Sequence, residues 1–177
     1  MSNQSVQESL PAAPERSADE YASAITSVVD DIIAAIESCT GTQWTSVTAA
    51  EQWPVSVVAH HAGTVLRAFA GVLEALGSGA PVPQFSADDV DRSNARHAQE
   101  FGDVSRAETL TFLRTNTAAL TAAIRRLPEE RITQVAGSFG GFELTVAQLL
   151  EFAVIAHLQE HLASIRTTIA GDAARSS

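Results

Sequence analysis

Four stretches of this chain space their apolar residues three and four positions apart, and that rhythm leaves few folds open. In the first, from about Asp19 to Ser38, the stripe is Tyr21, Ile25, Val28, Ile32 and Ile36, with Gly41 closing it. The second runs VSVVAHHAGTVLRAFAGVLEAL from near Trp53 to Gly77, about 35 Å of helix at roughly 1.5 Å per residue. Thr48-Ala-Ala-Glu51 has capping-box spacing ahead of it, and Pro54 suits a helix's first turn. A third stripe, Leu110, Leu113, Thr117, Leu120, Ile124 and Leu127, follows the capping box Ser105 to Glu108 and stops at Pro128. Thr145 and Gln148 cap the fourth, which reads Leu150, Val154, His157, His161, Ile165 and is expected to run to Ala170 before Gly171.

Strand-like alternation is scarce, and only 6% of the 177 residues are aromatic against 45% hydrophobic, so the core must be built from small and aliphatic side chains on helices. The expected fold is all-α, an up-down-type four-helix bundle over residues 18–171 with an additional short helix and long connecting loops. Ser86 and Asp89 cap that short helix, which reaches His97 to Phe101. Residues 1–17 are too polar to order themselves and read as a disordered tail, as do 172–177 at the other end. The connections 78–104 and 128–144 exceed what an antiparallel turn requires, and the second has hairpin character around Gly140-Gly141. Excess of that kind often builds or covers a site.

Charge and cysteine content narrow the chemistry. The formal net charge is −10, from 21 acidic and 11 basic residues, and all the basic residues are arginine. No lysine-rich stripe is available to follow a phosphate backbone, which argues against nucleic acid as a partner. The N-terminus has no basic start followed by an apolar run, and no segment approaches the ~18 uninterrupted apolar residues of a membrane span. A cytoplasmic protein without a membrane partner is the expectation. One cysteine, Cys39, excludes an internal disulfide and any multi-cysteine metal site; at a helix end, it reads as inert. Histidines or carboxylates must carry any chemistry.

The five histidines are His60, His61, His97, His157 and His161. On the fourth stripe His157 and His161 replace core residues one turn apart, close enough for two imidazoles to converge on one cation at about 2.1 Å each. On the second stripe, Val58, His61, Val65, Phe69 and Val72, helical phase selects His61, while His60 stands about 100° round the helix as a flanking residue. Three imidazoles aimed at one interior each need partners for donor and acceptor, and a shared divalent cation supplies them. His97 reads as a surface residue in the segment that could cover the bundle mouth. No fourth protein ligand stands out, the pattern of an open site completed by solvent or substrate. Zinc suits the ligand set best; nickel, iron, cobalt and manganese are compatible with it. A ferritin-like di-iron centre is disfavoured because neither His157 nor His161 has a glutamate three residues before it, and HExxH is absent.

The run Trp53-Pro-Val-Ser-Val-Val-Ala-His60-His61 resembles the first metal-ligand motif of the DinB-like superfamily, and His157-x-x-x-His161 is similar to its second, on the last long helix. The resemblance covers about residues 18 to 171. Relatives include the N-terminal domain of mycothiol-dependent maleylpyruvate isomerases and bacterial thiol S-transferases. It implies a metal triad of His61, His157 and His161, with solvent in the remaining positions. Many members follow the final ligand with a second histidine and an Arg-Gly pair, where this chain has Leu162-Ala-Ser. The isomerases' C-terminal domain has no counterpart in these 177 residues, so a stand-alone transferase is expected rather than the isomerase.

The resulting expectation is a metal-dependent enzyme that activates a low-molecular-weight thiol such as mycothiol, as cosubstrate, for transfer to a small electrophile. Arg67, Arg96, Arg114 and Arg166 are the candidates to grip anionic groups of either partner, and the Tyr21 hydroxyl is a further candidate substrate contact. His60 and His97 are expected to support the ligands rather than bind the ion. The alternatives are a non-catalytic metal-binding or stress-associated helical bundle, and a hydrolase using metal-bound hydroxide. Relatives commonly pair, and a homodimer is expected.

Overall fold

The computed structural model describes residues 11–80, 86–139 and 142–175. Its long helices are α1 (Ala18–Ser38), α3 (Val55–Ser78), α5 (Arg106–Arg126) and a last helix made of α7 (Val146–Gln148), a π-helical segment (Leu149–Ala156) and α8 (His157–Arg175). Shorter pieces connect them: α2 (Gly41–Thr45), α4 (Ala87–Glu100), α6 (Glu129–Ile132) and the strands β1 (Val135–Phe139) and β2 (Phe142–Thr145). The expected all-α four-helix bundle with an added short helix is what forms.

Local signals set most helix starts. Ser17, Ser105 and Thr145 each accept from the backbone N–H three residues on, and the side chains of Glu20, Glu108 and Gln148 reach back to the cap's own N–H. Thr40 and Ser86 do the same for α2 and α4. At the C-terminus of α3, Gly79 takes φ 72°, the left-handed conformation that suits glycine. Gly171 has no such φ, so the last helix runs through it to Arg175, past the expected end at Ala170 and into the expected tail.

Cross-helix pairs fix the directions. Asp19 meets Arg125 and Glu37 meets Arg114, so α1 and α5 are antiparallel. His60 stacks on Phe112 and Glu74 meets Arg126, so α3 and α5 run parallel. Arg16 meets Glu151 and Asp31 meets Arg166, which makes the last helix parallel to α1. The order is therefore up, down, down, up. α5 packs beside both α1 and α3, the last helix beside both as well, and α1 and α3 face each other across the diagonal. A chain leaving the end of α3 must return the length of the bundle before α5 can begin, and α4, about 21 Å long at 1.5 Å per residue, covers most of that distance. This is the structural reason for the long connection 78–104. The second long connection, 128–144, crosses the other diagonal through α6 and the hairpin, in which Ser138 pairs with Glu143; Gly140 and Gly141, where a turn was expected, lie outside the described residues.

The interior is aliphatic, with Ile25, Ile32, Leu66, Leu113, Leu120, Leu158 and Ile165 all fully buried. α3 is long and apolar enough to cross a membrane by length and composition, yet 72% of its apolar window is buried in the bundle. Two expectations need correction here. Residues 11–17 are not a free tail: Tyr21 donates to the Pro14 carbonyl, Gln148 to that of Pro11, and Arg16 pairs with Glu151, so the segment straps the start of α1 to the π-helical turn; residues 1–10 lie outside the described residues. Thr48 and Glu51 do not cap α3. That helix starts at Val55 behind Pro54, because proline fits a helix edge and not its interior.

Candidate metal centre

His61 projects from the second turn of α3, and His157 and His161 from the first two turns of α8. His157 follows directly on the π-helical segment, whose widened turns sit where a π-bulge frequently marks a functional position. The sequence phase placed the three imidazoles in one interior, and the structure brings them together. His157 Nε2 lies 3.5 Å from His61 Nε2 and 2.9 Å from His161 Nε2. One donor atom from each falls within 4.8 Å of the others. Three nitrogens at about 2.1 Å from a common cation stand about 3.0–3.4 Å apart for octahedral and tetrahedral angles, so the observed spacing suits one ion.

Glu51 organises the site. His161 Nδ1 donates to Glu51 Oε1 at 2.8 Å, and Glu51 Oε2 accepts from Ser164 at 2.6 Å and Thr48 at 2.7 Å. The proton of His161 is thereby held on Nδ1, leaving the Nε2 lone pair facing the other rings. Burial pushes the Glu51 carboxyl upward, but hydrogen bonds from His161, Ser164 and Thr48 outweigh it and hold the group at about 2. His61 is pushed down to about 3, by burial first and then by the imidazoles of His161, His157 and His97; His157 is pushed down to about 4, by burial and then His161. The His61 and His157 rings are neutral at pH 7. His157 Nε2 can donate to His161 Nε2 at 2.9 Å or accept from His61 Nε2 at 3.5 Å but cannot do both, so one of the two contacts is left without a hydrogen bond. His61 Nδ1, on the far side of the ring from His157, is buried with no hydrogen-bond partner among the described residues. The donor set fits a divalent cation.

Glu51 is the residue at the histidine cluster that sequence reasoning missed. Its TxxE spacing was read as a cap for α3, and the contact with Thr48 does exist. The signal lay in Pro54, which keeps α3 from starting before it and so frees Glu51 for another partner.

His60 and His97 form a second layer. His97 was expected at the surface and is instead 6% exposed, because α4 lays it against α3. Its ring sits 5.2 Å from that of His61 and 5.1 Å from that of His60. His60, 7% exposed, stacks between Phe101 and Phe112 at centroid distances of 4.1 and 4.6 Å. Trp53 meets His61 edge-on at 5.5 Å.

The other candidates spread out. Arg114 and Arg166 are exposed and paired with Glu37 and Asp31. Arg96 is exposed on α4. Arg67 lies over the Phe112 ring, 5.4 Å from its centroid, and is the candidate arginine nearest the histidines. Tyr21 is fully buried with its hydroxyl on Pro14, so it does not offer that group to a substrate at the triad. Cys39 is buried, and burial raises its thiol pKa, in keeping with an inert role.

The sequence matches the model of the DinB superfamily over residues 24–165. No curated protein sequence matches it. Among solved structures, a protein from Streptococcus pneumoniae superposes with a TM-score of 0.69 at 15% identity, covering 87% of this chain and 91% of that one. The colibactin self-resistance protein ClbS, solved in complex with a dsDNA, gives 0.65 at 15% identity over 89% of this chain and 97% of its own. A mycothiol-dependent maleylpyruvate isomerase gives 0.66 at 13% identity, covering 88% of this chain and 61% of the isomerase. At such identities the likeness is one of fold.

Proposed function

Because the chain belongs to the DinB superfamily, we propose that it is a divalent-metal-dependent enzyme in which His61, His157 and His161 hold the cation and a low-molecular-weight thiol, mycothiol-like, is transferred to a small electrophile. The observation that supports this is the convergence of three imidazoles, with His161 held by Glu51 through Nδ1. Zinc is the first candidate, with nickel and iron next, since imidazole nitrogen serves all three. When bound, the cation supplies positive charge that lowers the pKa of a thiol at an open position. Glu51 keeps the His161 lone pair aimed inward, while Trp53 and His97 pack against His61 and limit the water around it. The same reading makes the protein a cytoplasmic homodimer acting on small molecules.

Protein purified without a histidine tag tests it, by elemental analysis followed by thiol consumption over a panel of electrophiles with and without chelator. The expected result is close to one ion per chain and a thiol-dependent conversion that chelator abolishes and zinc restores. A chain that takes up no divalent ion overturns the proposal. Metal without thiol consumption leaves a metal-binding bundle, and an ester or amide cleaved without thiol makes the protein a hydrolase.

A further inference from the structure

Residues 11–17 grip the last helix at the start of its π-helical segment. Gln148, the residue before that segment, donates to the Pro11 carbonyl at 3.2 Å, and Arg16 Nη1 donates to Glu151 Oε2 at 2.8 Å. Both grips are built into further contacts. The Gln148 side-chain oxygen accepts from the Thr145 backbone N–H at 3.0 Å, while the Arg16 guanidinium lies 5.7 Å from the centre of the Tyr21 ring, whose hydroxyl donates to Pro14. The Arg16–Glu151 pair is also sheltered. Its side chains are 32% and 19% exposed, where both partners of every other arginine–carboxylate pair among the described residues are at least 50% exposed.

Past the segment, a second set of contacts fixes the same helix. His161 and Ser164 bond Glu51, and Arg166 pairs with Asp31. Between the two sets lie eight residues in i→i+5 bonding, Leu149 to Ala156, whose buried pairs Leu149-Leu150 and Val154-Ile155 recur five positions apart instead of three or four. A π turn holds one residue more than an α turn, so closing it to α would turn Gln148 and Glu151 against His157 and His161 by about 100°, one helical position. That rotation would break one set of contacts or the other. Were core packing the sole hold on the widened turns, losing Arg16 would have no local effect.

We propose that Arg16 is a positioning residue: its pair with Glu151 holds the π-helical register and, through it, His157 and His161 in their converging arrangement, so that the strap and the metal centre are coupled. The register belongs to the chain itself; only its consequence for a cation rests on reading the triad as a metal centre.

Hydrogen exchange and NMR of the histidine rings, on the full chain treated with chelator, test the register directly. In Arg16→Glu the amides of 149–156 are expected to exchange about tenfold faster, the value of one hydrogen bond between charged groups, and the His157 and His161 resonances to move, with α3 and α5 unchanged. Arg16→Glu/Glu151→Arg restores the pair with its charges exchanged and is expected to return both readouts towards the original. Arg126→Glu, which breaks the exposed Arg126–Glu74 pair between α3 and α5, is expected to leave them alone. In zinc titration Arg16→Glu should weaken binding about fivefold or more, and by reciprocity zinc should slow tryptic cleavage after Arg16 in the unmodified chain. Unchanged exchange and resonances in Arg16→Glu, a rise spread evenly over the bundle, no rescue by the exchanged pair, or unchanged affinity in a chain that does bind zinc would each overturn the proposal. A chain that binds no zinc removes the metal reading, and the exchange and resonance measurements then decide the register by themselves. Should Arg16→Glu fail to fold, Arg16→Gln, which removes the charge without reversing it, is read by the same measurements.

Discussion

At the scale of single residues, the Glu51 carboxylate does more than satisfy a buried imidazole. By taking the His161 Nδ1 proton it dictates which nitrogen faces the other two rings. Glu51→Gln keeps the size of the group but presents an amide, so the tautomer is no longer imposed; zinc affinity should fall 10–100-fold, the usual cost of losing such a partner, with the fold intact by circular dichroism. Isothermal titration with zinc measures this, and unchanged affinity would show that the carboxylate is only structural. The histidines set the pH dependence of the metal-free protein. His60, His61 and His157 have folded-state pKa values pushed down to about 4, 3 and 4, mainly by burial, so below the ordinary value of 6.5 the unfolded chain binds protons that the folded one refuses. Stability is thus full above pH 6.5 and falls as the pH drops from there towards 4, by an order of 1–2 kcal/mol per ring at pH 5. Glu51, held low, loses its contribution in the same direction but only below about pH 4.5. Urea melts at pH 7 and pH 5 check the sign; a chain more stable at pH 5 would contradict it.

At the scale of elements, α3 carries both the proposed ligand His61 and the glycine that lets α5 approach. Gly63→Ala should gain about 1 kcal/mol of helix propensity, yet its methyl would meet Phe112 at 2.5 Å, and overpacking of that kind costs about 1–3 kcal/mol. Net destabilisation is expected in urea titration, relieved in Gly63→Ala/Phe112→Leu; a double-mutant cycle with no coupling would dismiss the steric account. The elements also show what the sequence could carry. Capping boxes at Ser105 and Thr145 and the three–four stripes placed α5 and the start of the last helix, because those signals are local. Helical phase likewise brought His61, His157 and His161 to one interior. The π-helical segment was not legible, since a widened turn answers to packing from α1 and α3 and to the Arg16–Glu151 pair, none of which lies nearby in sequence. His97 was misplaced for a similar reason: a short helix that is polar nearly all round reads as a surface element, and its one buried residue is chosen by the neighbour it lands on.

At the scale of the whole molecule, charge and connectivity decide what the bundle can meet and what holds it together. A chain of net charge −10 without lysine is expected to leave double-stranded DNA unretarded in a gel at physiological salt, despite sharing the fold of ClbS; a salt-sensitive shift at micromolar protein would reverse that view. The ring of helices has its own weak point. α3 and the last helix enclose the proposed metal site and share a less extensive contact than α3 shares with α5, so an ion held jointly by His61 on one and His157 and His161 on the other acts as a clasp between them. Binding to the folded state alone stabilises it by about 2.7 kcal/mol when free metal is a hundredfold above its Kd, which for a domain of this size raises Tm by roughly 5–10 °C. Adding zinc to chelator-treated protein should therefore raise Tm by that amount, and His157→Ala or His161→Ala should abolish the rise. His97→Ala should retain it, because His97 packs on His61 without joining the cluster of converging donors. A zinc-dependent Tm that survives loss of either α8 histidine would place the ion elsewhere in the protein, and with it the chemistry assigned to the triad.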